Sequence, residues 1–286
     1  MRSFLFVPGD SARKFEKART GNADALILDL EDSVAAEAKL RARVEVASML
    51  AAPRSKQKLY VRVNGFDTGL TLGDLAAVMP LRPDGIMLPK CSGAEDVARL
   101  GYHLDAFEAA HASEPGSTRI IGVATENAES ILGLSTYRDA GPRLWGLLWG
   151  AEDLVSSLGA TDNKEGGVYT EPFRLARNLC LTAAAAAGVA AIDTVCTVIG
   201  DLSYVEAEAD AARRDGFSAK AVIHPSHVDP VNLAFTPKPA EIAWARRILD
   251  AFAADPGAGV LKIDGKMIDK PHERAARKIV AMVDRG

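Results

Sequence analysis

The stretch ALILDLED, residues 25–32, is an apolar run that ends in three carboxylates, Asp29, Glu31 and Asp32. An apolar run without alternation is typical of a strand in a parallel sheet that is buried on both faces. A carboxylate at the end of such a strand gains nothing from packing, because a buried charge costs free energy unless it is paired. The run therefore predicts a buried parallel strand whose carboxyl end carries polar chemistry.

Two later runs repeat this design. RIIGVATE (119–126) ends in Glu126, and LWGLLWGAED (144–153) ends in Glu152 and Asp153. Carboxylates that converge repel one another and need a compensating cation. A hard divalent metal is the simplest such cation, because the ligands on offer are all oxygen atoms. The pattern makes the chain a candidate metal-dependent enzyme.

Eight apolar runs of this kind alternate with longer segments of helical pattern. Eight strands, each followed by helical or loop material, is the count of an α/β fold of the (β/α)8 TIM barrel type. A doubly wound open sheet usually has fewer strands, and no G-x-G-x-x-G follows the first run. We therefore predict a (β/α)8 barrel over residues 1–235. The predicted strands are 3–7, 25–30, 58–64, 85–89, 119–126, 144–150, 191–197 and 219–224, and the clearest helices 35–50, 94–110, 171–187 and 204–215.

Residues 236–286 do not continue the eightfold pattern. A proline-rich connector leads into a predicted helix at 241–254, and VLKIDGKMID (260–269) reads as a hairpin that turns at Asp264-Gly265, a dipeptide that favours a type I′ turn. Pro271 stands where the first turn of a last helix would begin. We predict a C-terminal extension, a helical and hairpin lid that could cover the mouth of its own barrel or of a neighbour's.

The composition restricts the possible partners. The chain has 286 residues, is 48% apolar and carries a net charge of −4, and it has no basic cluster that could follow phosphates. No stretch approaches the ~20 apolar residues of a membrane span, and the first residues lack a signal sequence. Cys91, Cys180 and Cys196 lie far apart and are predicted to be reduced, mostly buried thiols. We expect a cytoplasmic protein that binds neither nucleic acid nor membranes.

Reactive groups in a barrel lie at the C-terminal ends of its strands. Besides the carboxylates, these ends contain Arg62, Lys90 and His224. Arg62 is suited to bidentate recognition of a substrate carboxylate, although an ion pair at the barrel end is the simpler alternative. Lys90 is equally well explained as a surface lysine, and His224 is expected to fix a turn with Pro225. No G-x-S-x-G elbow occurs and no Cys/His pair stands out, so metal-centred or enolate chemistry is favoured over an acyl-enzyme.

Each carboxylate also has a structural alternative. Glu126 could be a first-turn helix residue, favoured there by the helix dipole. The group Asp29, Glu31 and Asp32 could cap or pair with a helix that starts near Ser33, or one of them could hold metal-bound water. Glu152, next to Asp153, is expected to point elsewhere.

Seven segments in fixed order resemble the citrate lyase β-subunit-like branch of the HpcH/HpaI aldolase family, which has a (β/α)8 barrel fold. The resemblance implies an enzyme, a lyase that breaks or forms a carbon–carbon bond between an acyl-CoA enolate and a 2-oxo acid. The segments are RSFLFVPGD (2–10), ADALILDLEDSV (23–34), YVRVNG (60–65), GIMLPK (85–90), IGVATENAESI (121–131), LLWGAEDL (147–154) and KAVIHPSHV (220–228).

The resemblance also implies roles for individual residues. Glu126 and Asp153 would be ligands of Mg²⁺, with Mn²⁺ as a substitute, and Arg62 would hold the carboxylate of the oxo acid. The backbone of Ala151, Glu152 and Asp153 would contact that same carboxylate. Asp29, with Glu31 or Asp32, would order water around the metal. Arg2 and Lys90 lie in motifs near the CoA contacts of the family.

The segment DGKMIDKP (264–271) resembles the C-terminal lid of malyl-CoA and citramalyl-CoA lyases. By this resemblance Asp269 would be the general acid/base and would reach into a neighbouring subunit of a homo-oligomer, a trimer or a multiple of one. Three alternatives stay open: a (3S)-malyl-CoA-type thioesterase, a metal aldolase that does not use CoA, and a non-catalytic ligand-binding barrel. The particular acyl-CoA and 2-oxo acid cannot be read from the sequence.

Overall fold

The computed structural model describes residues 1–283. Its strands, numbered in chain order, are β1 (Ser3–Pro8), β2 (Ala25–Asp29), β3 (Lys58–Arg62), β4 (Gly85–Leu88), β5 (Arg119–Val123), β6 (Leu144–Leu148), β7 (Lys164–Glu165), β8 (Val168–Tyr169), β9 (Ala190–Asp193), β10 (Ala219–Val222), β11 (Val260–Ile263) and β12 (Lys266–Asp269). Its α-helices are α1 (Ala12–Arg19), α2 (Lys39–Ala51), α3 (Thr71–Val78), α4 (Ala94–Ala110), α5 (Ala128–Gly133), α6 (Glu152–Leu158), α7 (Glu171–Ala187), α8 (Leu202–Asp215), α9 (Val228–Phe235), α10 (Pro239–Ala254) and α11 (Lys270–Val283).

Eight of the strands form a closed parallel barrel in the order β1-β10-β9-β6-β5-β4-β3-β2. The first and last strands pair, with Ser3 opposite Lys220, so the sheet has no free edge. All eight predicted runs are barrel strands, and the predicted (β/α)8 fold is confirmed. The helices α4 and α7 have the predicted bounds, whereas the helix predicted from residue 35 begins as a 3₁₀ turn, Ala36–Ala38, before α2.

Several barrel strands end earlier than predicted. β5 ends at Val123, and the N–H of Ala124 still donates to the carbonyl of Leu148, the last residue of β6. Beyond this bond the neighbouring strand offers no further pairing, so Glu126 lies on a loop instead of on the strand. Glu31, Asp32 and Glu126 are thus carried by loops that follow the strands, whereas Asp29 ends β2 and Asp153 lies in the first turn of α6.

Two buried layers hold the barrel together. One lies between strands and helices and includes Leu26, Leu28 and Val61. The other fills the inside of the barrel, where the rings of Phe4 and Tyr60 meet edge to face at a centroid distance of 5.8 Å. The barrel is therefore packed along its axis, and open space for a ligand is left at its ends.

The chain divides into two compact units, Met1–Phe235 and a second one that begins at Thr236. In the second unit α10, the β11–β12 hairpin and α11 surround a small core of Ile248, Phe252 and Ile268. Asp264 and Gly265 both have positive φ angles, 49° and 77°, which matches the type I′ turn predicted for this dipeptide. No helix of residues 1–283 is long and apolar enough to cross a membrane. The lid function of this unit stays a prediction.

Candidate active site

A cavity of about 400 Å³ opens at the C-terminal ends of the barrel strands. This is the end at which barrels of this kind carry reactive groups. Most of the residues predicted from the sequence line it, including Arg62, Glu126 and Asp153. The lining consists of Phe6, Pro8, Asp29, Asp32, Ser33, Arg62, Val123, Glu126, Leu148, Gly150, Ala151, Glu152, Asp153, Thr194, Val195 and Ile223.

Glu126 is a nearly buried carboxyl, with 6% of the residue exposed. Burial raises its pKa to about 8, and the negative charges of Glu31 and Asp153 add to this effect. The backbone N–H of Lys90 donates to its Oε2 and opposes the shift. The chain thus places a carboxyl where its charged form is costly unless another cation approaches.

The turn after β6 passes directly over Glu126. A Cβ atom on Gly150 would lie 2.7 Å from Cγ of Glu126, so this close approach requires glycine. The N–H of Gly150 donates to the hydroxyl of Thr125 at 3.0 Å, which fastens the turn to the loop after β5. Asp153 follows in the first turn of α6, and Oε1 of Glu152 accepts a hydrogen bond from Asn163 at 3.0 Å.

Lys90 lies among the carboxylates. Its Nζ contacts Glu31 and lies 3.5 Å from Oδ2 of Asp153. Burial lowers the pKa of Lys90, but the hydrogen bond with Glu31 and its charge outweigh burial and raise the pKa. The residue has a φ of 51°, in the left-handed region that costs a non-glycine residue about 1 kcal/mol. Its contacts are those of a charge that balances carboxylates, so they do not by themselves indicate a CoA contact.

Arg62 is held by the carboxylates of Asp29 and Glu31. Its Nε and Nη2 donate to the two oxygens of Asp29, each at 2.7 Å, and its guanidinium lies 4.9 Å from the ring centre of Phe6. Nη1 lies 2.8 Å from Oε2 of Glu31, an ion pair in which this oxygen accepts no hydrogen bond from the described residues. The ion pair that the sequence left open as an alternative for Arg62 is therefore present, and the guanidinium still lines the cavity.

Asp29 and Glu31 both contact Arg62, but their pKa values shift in opposite directions. Burial raises the pKa of Asp29, but the charge and hydrogen bonds of Arg62 outweigh it and hold the pKa below its usual range. For Glu31 burial dominates over the attraction of Arg62 and Lys90, and its pKa is raised. Burial thus disfavours the charged forms of Glu31 and Glu126, whereas Arg62 balances the charge of Asp29.

The donor set fits a hard divalent cation. Residues 1–283 contain no ready-made group of three or more His, Cys, Asp or Glu side chains that could hold a metal. Mg²⁺, however, usually binds proteins through one or two carboxylates and keeps several water molecules. The carboxylates of Glu126 and Asp153 could supply these two ligands, and the raised pKa of Glu126 is what an unbalanced ligand of such a site should have.

Among the predicted residues of the first unit, Glu31, Lys90 and Arg2 do not line this cavity. Arg2 precedes β1 and therefore lies at the opposite end of the barrel, where its Nε and Nη2 donate to Asp24 at 3.0 and 2.8 Å. The CoA contact expected for Arg2 stays a prediction. Asp269 belongs to the second unit, at the end of β12, and its carboxylate is 2.5 Å from Nδ1 of His272, which lowers its pKa. His224 contacts the hydroxyl of Ser226 and caps the turn at Pro225, as predicted.

Sequence reasoning missed a pair of buried charges at the same end of the barrel. Lys220 on β10 donates to Oδ2 of Asp193 on β9 at 2.6 Å, and Oδ1 of Asp193 accepts from the indole N–H of Trp149 at 2.7 Å. The signal was available, because AIDTVCT and AKAVIH are neighbouring apolar runs that each contain one charge of opposite sign.

A closed (β/α)8 barrel with carboxylates, an arginine and a lysine around a cavity at its strand ends has the design of a barrel enzyme. The family described as HpcH/HpaI aldolase/citrate lyase matches residues 2–225. The chain is 36% identical over 290 residues to a (3S)-malyl-CoA thioesterase of Cereibacter sphaeroides, a match that covers 99% of this chain and 94% of the relative. It is 36% identical over 286 residues to the citrate lyase subunit beta of Escherichia coli, covering 99% and 93%.

A solved structure gives the same result. The protein CitE from Mycobacterium tuberculosis, in complex with magnesium, acetoacetate and coenzyme A, matches with a TM-score of 0.78 and 30% identity, covering 99% of this chain and 98% of that one. The chain therefore belongs to the HpcH/HpaI aldolase/citrate lyase family, and the family prediction made from its motifs is confirmed.

Proposed function

We propose that this chain is a Mg²⁺-dependent carbon–carbon lyase. Its substrate would be a 3-hydroxyacyl-CoA with a second carboxylate, such as malyl-CoA or citramalyl-CoA, and its products an acyl-CoA and a 2-oxo acid. One observation carries the proposal: a single cavity contains Glu126, whose raised pKa calls for a cation, and Arg62, whose guanidinium suits a substrate carboxylate. The magnesium, acetoacetate and coenzyme A bound by the related CitE support this combination of ligands.

In this proposal Glu126 and Asp153 hold Mg²⁺, or Mn²⁺ in its place, through their carboxylate oxygens. When bound, the cation supplies positive charge that lowers the pKa of a nearby substrate hydroxyl. Asp29, Glu31 and Asp32 would order water around it: Asp29 and Asp32 line the cavity, and Glu31 contacts Lys90, whose Nζ lies 3.5 Å from Asp153. The cavity of about 400 Å³ is within the range of small-molecule sites and suits the acid portion of the substrate.

Arg62 would hold the carboxylate of the acid portion. Asp29 occupies one edge of the guanidinium and so fixes its plane, while Nη1 and Nη2 each carry a second N–H. The backbone of Ala151, Glu152 and Asp153 would donate to the same carboxylate. A substrate held by both sides would keep its reacting carbons aligned through the bond cleavage.

In cleavage the hydroxyl proton would pass to Asp269 as a carboxylate, the C–O bond would become the carbonyl of the 2-oxo acid, and the electron pair of the broken C–C bond would stay on the acyl-CoA as an enolate. Asp269 would protonate the enolate carbon, or remove that proton in the direction of condensation. Its lowered pKa keeps it a carboxylate near neutral pH, the form needed for proton removal. We propose that it acts in a neighbouring subunit of a homo-oligomer, a trimer or a multiple of one.

The role of Asp269 has its own test. Asp269→Ala should keep the fold and the binding of Mn²⁺ but lose the metal-dependent exchange of acyl-CoA protons with deuterated solvent. Exchange at the wild-type rate in this variant would remove Asp269 from the mechanism.

The reaction type is tested with a panel of esters: malyl-, β-methylmalyl-, citramalyl- and citryl-CoA, each with and without Mg²⁺. The 2-oxo acid and the free thiol of CoA are followed separately. Release of oxo acid without thiol would support the lyase and name its substrate. Turnover of free hydroxy-oxo acids without CoA, with no reaction of the panel, would replace it by a metal aldolase. Ligand binding without any turnover would indicate a non-catalytic barrel.

A thioesterase is the second candidate, since the chain is 36% identical to a (3S)-malyl-CoA thioesterase over nearly its whole length. In this reaction water attacks the thioester carbonyl, and the products are the free hydroxy acid and CoA thiol. The same cavity groups would bind the acid portion in both reactions. Release of thiol without oxo acid from malyl-CoA would favour this candidate over the lyase.

A further inference from the structure

Six side chains form a closed circuit beside the turn that carries Asp153. The indole N–H of Trp149 donates to Asp193, and Asp193 accepts from Lys220. Nζ of Lys220 lies 3.6 Å from Oε2 of Glu208, whose Oε1 accepts from Lys164 at 2.7 Å. Two ring contacts close the circuit. Nζ of Lys164 lies 4.4 Å from the ring centre of Tyr169, and that ring meets Trp149 edge to face at 5.0 Å. We call these residues the anchor ring: Trp149, Asp193, Lys220, Glu208, Lys164 and Tyr169.

Two charged residues of the anchor ring, Lys220 and Asp193, occupy buried positions that apolar residues could fill equally well. Lys220 is 1% exposed and Asp193 4% exposed, although both lie on barrel strands. A buried ion pair is weak evidence for stability, because apolar residues of similar volume often serve the fold as well or better. A charged, hydrogen-bonded pair can, however, orient its neighbours: Asp193 fixes the orientation of the indole ring of Trp149 through its N–H. The anchor ring is therefore better explained by the positioning of Trp149 than by a contribution to stability.

The anchor ring reaches the cavity at three points. Trp149 is fully buried and directly precedes Gly150, the glycine that passes over Glu126. Nζ of Lys220 also donates to the carbonyl of Thr194, which lines the cavity. Asn163, next to Lys164, donates to Glu152. The turn from Gly150 to Asp153 is thus held by the anchor ring on one side and by Thr125 on the other.

We infer that Trp149, Asp193 and Lys220 are positioning residues that set the distance between the carboxylates of Asp153 and Glu126. They touch neither the substrate nor the metal of the proposed reaction, and act through the turn of residues 150–153. The inference rests on the proposed metal site. It predicts that a change in the anchor ring weakens metal binding even when the fold is intact, since partners that orient ligands typically contribute about 10- to 100-fold to metal affinity.

The test compares two tryptophans of the same segment. Trp149→Phe removes the N–H that Asp193 accepts and keeps an aromatic ring in place. The control, Trp145→Phe, makes the same change on β6, where Trp145 packs against Phe4 inside the barrel. Mn²⁺ dissociation constants are measured by electron paramagnetic resonance on the full chain, with a thermal melt of each variant. We expect about tenfold weaker binding for Trp149→Phe and an unchanged constant for Trp145→Phe.

Two results would overturn the inference: Mn²⁺ binding by folded Trp149→Phe within a factor of two of wild type, or an equal loss in both variants. Should Trp149→Phe not fold, Lys164→Met decides, because Lys164 lies at the partly exposed side of the anchor ring. That variant should bind Mn²⁺ about threefold more weakly, below the effect of a direct partner, and unchanged binding would reject the inference. Failure of the wild-type chain to bind Mn²⁺ would instead reject the proposed metal site.

Discussion

Glu126 and Asp193 lie at the same end of the barrel and are almost equally buried, with 6% and 4% of each residue exposed. Burial raises the pKa of both. For Asp193 the charges of Lys220 and Arg177 outweigh burial and lower the pKa below its usual range, whereas Glu126 faces Glu31 and its pKa reaches about 8. The difference lies in the partners, not in the burial. Asp193 is balanced by the chain itself, and Glu126 is left for a cation that the chain does not supply.

The largest effect is expected from removing the charge that faces Glu126. Asp153→Asn would take away one proposed ligand, and loss of metal stabilisation of several kcal/mol corresponds to roughly a thousandfold lower kcat. The measurement is Mg²⁺-dependent turnover of the best ester at saturating metal. Asp139→Asn, at an exposed acid paired with Arg138 at the surface, is the charge-matched control. Full activity of Asp153→Asn would refute the metal assignment.

The next effect concerns Asp193. Asp193→Asn removes the nearer charge partner of the buried ammonium of Lys220 and leaves it Glu208 at 3.6 Å. Breaking a buried pair from one side costs about 3–5 kcal/mol of unfolding free energy. Urea unfolding at pH 7 in EDTA measures this cost. Glu126→Gln is the comparison, because it removes an unbalanced charge and should not destabilise the metal-free protein. Equal losses in the two variants would show that the two carboxyls do not differ as we describe.

The comparison also predicts a pH dependence of stability without metal. The pKa of Glu126 is about 8 in the folded chain and 4.5 as an ordinary glutamate, so the folded state holds a proton that the unfolded state has lost. Stability from this group is complete below pH 4.5 and is lost as the pH rises to 8. Glu126→Gln should be the more stable protein at pH 8 by about 4 kcal/mol, and equal to wild type near pH 4.

These two proteins are compared by urea unfolding in EDTA from pH 4 to 9. Glu31, with a raised pKa, changes stability in the same direction as Glu126, and His227, with a lowered one, in the opposite direction, but both are present in each protein and cancel in the difference. A constant difference across this range would mean that Glu126 does not titrate there.

The smallest effect is expected for Lys90. Its ammonium is the nearest internal substitute for a metal charge, at 3.5 Å from Asp153. Lys90→Met should therefore bind Mg²⁺ more tightly, by up to about fivefold, because a partly exposed ion pair contributes up to about 1 kcal/mol. Lys58→Met, which breaks a pair with Asp84 at the other end of the barrel, is the control in a calorimetric titration. Weaker binding by Lys90→Met would contradict the idea that this ammonium competes with metal.

The fold was predictable because its signals are local. Each barrel strand is a short apolar run, and α4 and α7 begin and end at the predicted residues. The list of carboxylates at strand ends was also predictable, since in a barrel every strand end faces the same side. The 3₁₀ turn Ala36–Ala38 before α2 could not be predicted, because these residues lack the strong N-terminal cap that would fix a helix start.

Pairings between distant residues were less accessible. The partner of Lys90 is 59 residues away and that of Arg62 is 33 residues away, and no local pattern tells which acid a cation selects. Arg2 was expected near CoA because the resemblance places its motif near the CoA contacts of the family. The structure puts Arg2 before β1, at the opposite end of the barrel from the residues that follow the strands. The pair of Asp193 and Lys220 becomes visible in the sequence when single charges within the apolar runs of neighbouring strands are matched by sign.

The missing side chain of Gly150 has a consequence for directed evolution of this barrel. Any larger residue at this position would place its Cβ 2.7 Å from Cγ of Glu126 and 3.3 Å from Cγ1 of Val123, so Glu126 would have to shift. A mutant library aimed at new substrates should therefore keep position 150 constant. It should diversify the apolar wall of the cavity instead, where residues change the space for the acid without moving a carboxylate: Phe6, Leu148, Val195 and Ile223.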